Sequence, residues 1–184
     1  TNTILSFIMV LLSSNSSALP FSIEIINKAN NKFELQEAII YAVPENQTAA
    51  QTKTSKQNTE ITQKDLQFMP YISVIQKGSS ITFPNLDEVS HHVYSFSPAK
   101  RFELSLYRQL LPEAIQFENE GLVILGCNIH DWMLGYILVV DTPYFTQFAQ
   151  QQAILDLPAG EYQLHIWHPR LDTQEVKSTK INVN

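Results

Sequence analysis

The sequence predicts an all-β sandwich, and three observations predict it. Apolar residues alternate with polar ones, or run together, in short segments bounded by Gly, Pro, Asn and Asp. No helical periodicity persists for more than a few turns. At 44% hydrophobic residues, with only five Gly and nine Pro, the 184-residue chain has the composition of an ordinary globular protein rather than a disordered or fibrous one. Its length exceeds that of a usual single domain and falls short of two independent ones, so one domain plus a modest second lobe is expected.

The start, TNTILSFIMVLLSSNSSALP, carries an apolar run from Ile4 to Leu12. Small polar residues follow, with Ser16 and Ala18 spaced as at a signal-peptidase site, so residues 1–18 read as a signal peptide that lacks its basic flank, or else as a first strand. The run is too short to span a bilayer, and no membrane span is expected in the mature chain. The corresponding location is periplasmic or otherwise exported. One Cys in an exported chain cannot close an internal disulfide, so Cys127 is buried, reactive or a ligand.

FSIEIIN (21–27), the polar turn KANNK and FELQEAIIYAVP (33–44) read as a hairpin. Residues 46–60 are nearly free of large apolar side chains and read as a polar linker. Strands resume with QFMPYISVIQ, a turn at Lys77 and Gly78, SSITFPN, a turn from Leu86 to Glu88, and HHVYSFS. Alternation there suggests half-buried antiparallel strands. The stretch AKRFELSLYRQLLPEAIQFENEG holds either a short helix or an excursion. GLVILGC and LGYILVVD are apolar strands of a hairpin whose tip is the loop between Cys127 and Leu134. YFTQFAQQQAILDL, a turn at 158–160, EYQLHIWHP and EVKSTKINVN complete the chain.

That hairpin tip gathers soft donors. Cys127, His130 and Met133 follow one another at intervals of three. Two imidazoles, a thiolate and a weak axial thioether suit both cuprous and cupric ions, and the loop supplies three of these four groups. A second imidazole is offered upstream by His91 or His92. Adjacent strand residues face opposite sides, so only one of the two would join the loop donors. Zinc competes for the same donors, because two His and one Cys with an open position also suit it. Alone, each donor has a plain structural role: Cys127 and Met133 as core residues, Trp132 as a rim aromatic, and His165 and His168 as ordinary surface or packing residues.

The charge pattern excludes nucleic acid, since the net charge is -6 and no Lys/Arg cluster exists to neutralise phosphate. No glycine elbow surrounds a Ser and no Gly-rich phosphate loop follows a strand, so a hydrolase or nucleotide enzyme is not expected. Asp87 and Glu88 are adjacent carboxylates that read as turn residues.

The loop GCNIHDWMLG, with the upstream ISVIQKGSSITFPNLD and the His pair, resembles the cupredoxins, the plastocyanin and azurin superfamily, with an amicyanin-like short ligand loop. A looser resemblance, over HHVYSFSPAKRFEL and GCNIHDWMLGYILVVDTPYF, is to exported proteins labelled methylamine-utilisation proteins. The resemblance implies a Greek-key β-sandwich over residues 61–141, one copper ion held by His91, Cys127, His130 and Met133, and Asn85, His92, Asp131 and Trp132 around these ligands. His92 stands where the family often has Asn, and Ile129 where it often has Pro. An acidic Asp131 beside His130 favours the cupric state and repels acidic partners. EAIIYAVP and LDLPAGEYQLHIWHP are similar to the prealbumin-like sandwiches of carboxypeptidase regulatory domains, so 20–45 plus 142–184 are expected as additional strands or as a second small discontinuous lobe. The function so implied is single-electron transfer, without enzymatic activity, to a redox partner such as a cytochrome or dehydrogenase. The alternatives are a periplasmic copper-binding or delivery protein, and a sandwich that binds protein or carbohydrate without a redox role.

Overall fold

The computed structural model describes residues 6–11, 19–26, 37–45, 58–109, 111–148, 153–171 and 177–183. Among them the chain is all-β, with no helix and therefore none long and apolar enough to cross a membrane. The strands are β1 (Ser6–Leu11), β2 (Leu19–Ile26), β3 (Ile39–Pro44), β4 (Asn58–Glu60), β5 (Thr62–Lys64), β6 (Gln67–Met69), β7 (Ile72–Gln76), β8 (Ser80–Thr82) and β9 (His91–Ser95). They continue with β10 (Phe102–Tyr107), β11 (Ile115–Gln116), β12 (Gly121–Cys127), β13 (Leu134–Val140), β14 (Phe145–Gln147), β15 (Ala153–Leu157), β16 (Gly160–Trp167) and β17 (Lys177–Val183). The chain divides into two compact units, Thr54–Asp141 and the combination of Thr1–Lys53 with Thr142–Asn184.

The unit built from the chain ends holds two sheets, ordered β1-β2-β15 and β14-β3-β16-β17. Leu155 and Leu157 of β15, Ile40 and Ala42 of β3, and Tyr162, Leu164 and Ile166 of β16 share one buried cluster. Their every-second-residue spacing places them on one face of each strand. The hairpin expected between 21–27 and 33–44 does not form. β2 pairs with β1 and β15, while β3 pairs with β14 and β16. β2 takes the preceding strand β1 and the sequence-distant β15 instead, so the turn signal KANNK, whose residues lie outside the described ones, does not decide the pairing. Ser6–Leu11, inside the segment read as a signal peptide, is the strand β1; residues 1–5 and 12–18 lie outside the described residues.

The middle unit holds a five-stranded sheet ordered β10-β9-β12-β13-β7, a three-stranded sheet ordered β11-β8-β4 and the hairpin β5-β6. Ile61, Phe68, Phe83, Val93, Phe117, Val123, Leu125 and Ile137 form its core, each at most 1% exposed. β12 and β13 form the expected hairpin, in a register running from Gly121↔Val139 to Gly126↔Leu134. Two sequence expectations are corrected, and one open alternative is decided. Residues 58–60 of the polar linker form β4, parallel to β8, because backbone pairing needs no apolar side chains; residues 46–57 lie outside the described ones. β7 runs parallel to β13 and is buried along both faces, as parallel strands usually are, rather than half-buried and antiparallel. The stretch 99–121 carries β10 and β11 and no helix in its described residues.

Candidate metal centre

Two neighbouring strands carry the site. β9 and β12 are antiparallel partners with Cys127 opposite Val93. Strand alternation turns His91, Val93 and Ser95 inward on β9, and Val123, Leu125 and Cys127 inward on β12. His91 opens one strand and Cys127 closes the other, so both side chains enter the core at one end of the sandwich, His91 0% and Cys127 3% exposed. Gly126 permits the close fit beside Cys127, since a Cβ there would lie 2.8 Å from Cζ and the hydroxyl oxygen of Tyr94.

After Cys127 the chain turns back over the site. The Met133 N–H donates to the His130 carbonyl at 2.9 Å, which closes the turn, and His130 is half-buried. Nδ1 of His91 and Nδ1 of His130 are 3.2 Å apart, and Sγ of Cys127 lies 3.9 Å from the first and 3.7 Å from the second. A triangle with these sides has its centre about 2.1 Å from each corner, the length of a bond from a small transition-metal ion to imidazole nitrogen and about 0.2 Å short of the roughly 2.3 Å bond to thiolate sulfur. The three donors are thus close enough together to share one ion, and their types suit copper or zinc. Met133 is 2% exposed, packs in the same cluster as Cys127, and lines with it a cavity of about 530 Å³.

The other nitrogen of His91 is also held. His91 Nε2 is 2.8 Å from Asp87 Oδ2, and that carboxylate accepts the backbone N–H of Asp65 at 2.7 Å and of Leu66 at 3.1 Å. Burial raises the Asp87 pKa, but the bonds to His91 and to these two N–H groups outweigh it, and the net shift is downward. Asn85 shapes the loop from within. Its side-chain amide donates to the Val89 and Tyr107 carbonyls and accepts from the Asp87 N–H. Tyr107, opposite His91 on β10, donates its hydroxyl to Phe83 O at 2.6 Å and accepts from the Gln63 side chain.

The remaining residues expected near the ligands sit in different places. His92 points to the opposite face, with Nε2 2.8 Å from Glu103 Oε1. Asp131 is exposed at the mouth of the cavity. Trp132 is 66% exposed, its ring centre 5.4 Å from that of His130. Sequence reasoning gave neither Asp87 nor Tyr107 a part in the site. Only the Asp87-x-x-x-His91 spacing hints at Asp87, and four residues apart across a turn rather than a helix is a weak signal. His165 and His168 belong to the other unit: His165 stacks on Tyr41 at 4.7 Å, and His168 Nδ1 accepts the Arg170 N–H.

No family model matches the chain, and no curated protein matches it. Solved structures do. A copper-containing nitrite reductase (NirK) from Thermus scotoductus SA-01 aligns over 46% of this chain and 22% of its own, with a TM-score of 0.43 and 20% identity. The chain thus matches about a fifth of that enzyme's length. A purple cupredoxin from Nitrosopumilus maritimus aligns over 45% of this chain and 99% of its own, at TM-score 0.37 and 22% identity. A point mutant of amicyanin in its reduced state aligns over 54% of this chain and 99% of its own, at TM-score 0.41 and 15% identity. At these scores the likeness carries no argument about chemistry, which rests on the donor geometry.

Proposed function

We propose that the chain is an exported type 1 copper protein of the cupredoxin kind that carries single electrons between larger redox proteins. The observation that carries this reading is the convergence of His91 Nδ1, His130 Nδ1 and Cys127 Sγ on a point about 2.1 Å from each. A copper ion bound there would supply one-electron redox chemistry. Cys127 would hold it through its thiolate and His91 and His130 through their imidazoles, with Met133 as a further, weak thioether ligand. Buried donors fixed at strand ends suit electron transfer, because they limit rearrangement when the charge changes.

His130 is half-buried, with Trp132 and Ile129 exposed beside it at 66% and 50%. This apolar rim around one ligand edge is where an electron leaves for a cytochrome or dehydrogenase. With Met133 as a fourth donor, the ion would have no position left for a substrate, which supports a carrier rather than an enzyme. Export rests on the 1–18 segment, and the N-terminus of protein recovered from the cell exterior tests it: cleavage near residue 18 fits, and an intact Ser6–Leu11 strand contradicts it.

The carrier reading is tested against copper delivery by cycling the copper-loaded chain between ascorbate and ferricyanide with a cuprous chelator present. A carrier keeps its metal and its visible band through repeated cycles. Loss of copper to the chelator within the first cycles would contradict electron carriage and favour delivery.

A further inference from the structure

We infer that Asp87 is a positioning residue of the metal centre: braced by the backbone of the β5–β6 turn, it fixes His91 as the tautomer that presents Nδ1 to the ion, and it favours the cupric state. The effect on the metal rests on the copper reading above. The effect on the tautomer does not.

A carboxylate can only accept hydrogen bonds, so the 2.8 Å contact between Asp87 Oδ2 and His91 Nε2 requires the proton on Nε2. In a neutral imidazole the lone pair then lies on Nδ1, the atom that faces His130 Nδ1 and Cys127 Sγ. Without the carboxylate, the 0% exposed ring loses the acceptor that holds the proton on Nε2, and the opposite tautomer would turn an N–H towards the metal. A carboxylate behind a ligating imidazole also makes that ligand more basic and adds negative charge close to the ion. Both effects stabilise the more positive oxidation state.

The brace is itself unusual. Lys64 pairs with Gln67, leaving Asp65 and Leu66 as a two-residue hairpin turn, and both have left-handed backbone angles, φ 55° and 57°. Such turns favour Asn and Gly, and a bulky Leu in this region is uncommon. The conformation aims two successive N–H groups at Asp87, a cradle for an anion. From the other side, the Leu86 N–H donates to Gln63 O and the Asp87 N–H to Asn85 Oδ1. The side chain is 13% exposed, so water competes weakly for it. Glu88, the adjacent carboxylate, is exposed.

Two measurements on the full chain test the inference. First, nitrogen-15 NMR of the metal-free protein at neutral pH reads the His91 tautomer. The Nε2–H form is expected, and the Nδ1–H form would overturn the inference. Second, Asp87→Asn is compared with Glu88→Gln for cupric and cuprous affinity and for reduction potential. Asp87→Asn should keep the visible band and weaken cupric binding about 10–100-fold relative to cuprous binding. At about 59 mV per tenfold for a one-electron couple, this raises the potential by about 59–118 mV. Glu88→Gln should leave it unchanged. Affinities and potential within twofold and a few millivolts of the parent in Asp87→Asn, or an equal shift in Glu88→Gln, would overturn it. If Asp87→Asn does not fold, the tautomer decides. If the parent shows no copper band, the copper reading fails and the tautomer still judges the clamp.

Discussion

Replacing Tyr107 by Phe tests the buried support behind His91, and its magnitude follows from the structure. The phenol is 8% exposed as a residue, donates to Phe83 O and accepts from Gln63 Nε2. Removing it forfeits two hydrogen bonds worth about 0.5–1.5 kcal/mol each. Gln63 Nε2 also donates directly to Phe83 O at 3.0 Å, so neither atom is left without a partner. The expected loss at pH 7 is therefore about 1–2 kcal/mol, at the lower end of the summed range. Alkaline pH changes the comparison. Burial pushes the Tyr107 phenol up to about 12, with the Gln63 bond opposing and the Cys127 charge adding.

An unfolded phenol ionises near 10, so from there to about 12 the folded chain retains a proton that the unfolded chain releases. The parent loses this stability as pH rises, by about 1 kcal/mol at pH 11 after allowance for partial solvent access, and the Phe variant does not. The gap between the two should narrow by about 1 kcal/mol, to about 0–1 kcal/mol, by pH 11. Urea unfolding of the metal-free proteins, followed at the buried methyl resonances of Val93 and Val123, measures it at both pH values. A gap that is the same or wider at pH 11 would refute the reasoning.

Cys127→Ser should abolish the visible band of the copper-treated protein, because no other thiolate exists in the chain; a retained band contradicts the assignment. His92→Gln should leave the copper spectrum unchanged, since His92 faces Glu103, whereas His91→Gln should eliminate it. Gly126→Ala should cost about 1–2 kcal/mol by overpacking against Tyr94, and double-mutant analysis with Tyr94→Ala should recover most of this as a coupling energy in urea unfolding. Met133→Leu, a volume-conserving change, should cost less than about 1.5 kcal/mol and keep the band while shifting the reduction potential.

What the sequence revealed depended on the range of the interaction. The β12–β13 hairpin was legible because two apolar runs flank a short polar loop, and such a pattern pairs with itself. His91 and His92 could be sorted because alternation is a local property; the structure turns the first into the core and the second towards Glu103. Asp87 reads as a plain turn residue because its role depends on backbone groups about twenty residues upstream, at Asp65 and Leu66. The parallel pairing of β7 with β13 leaves no mark on alternation, and β2 found its partners in β1 and β15 despite an adjacent turn signal. Tyr107 was equally hidden, since a buried Tyr looks like any aromatic core residue until its hydroxyl is seen to hold Gln63 and Phe83.

The metal centre is tested most directly by the optical and electron-paramagnetic-resonance spectra of the full chain after addition of one equivalent of cupric ion. An intense thiolate-to-copper charge-transfer band with a narrow copper hyperfine splitting is expected from His91, Cys127 and His130 on one ion. A colourless protein, or one whose spectrum is that of copper bound without thiolate, would contradict the account.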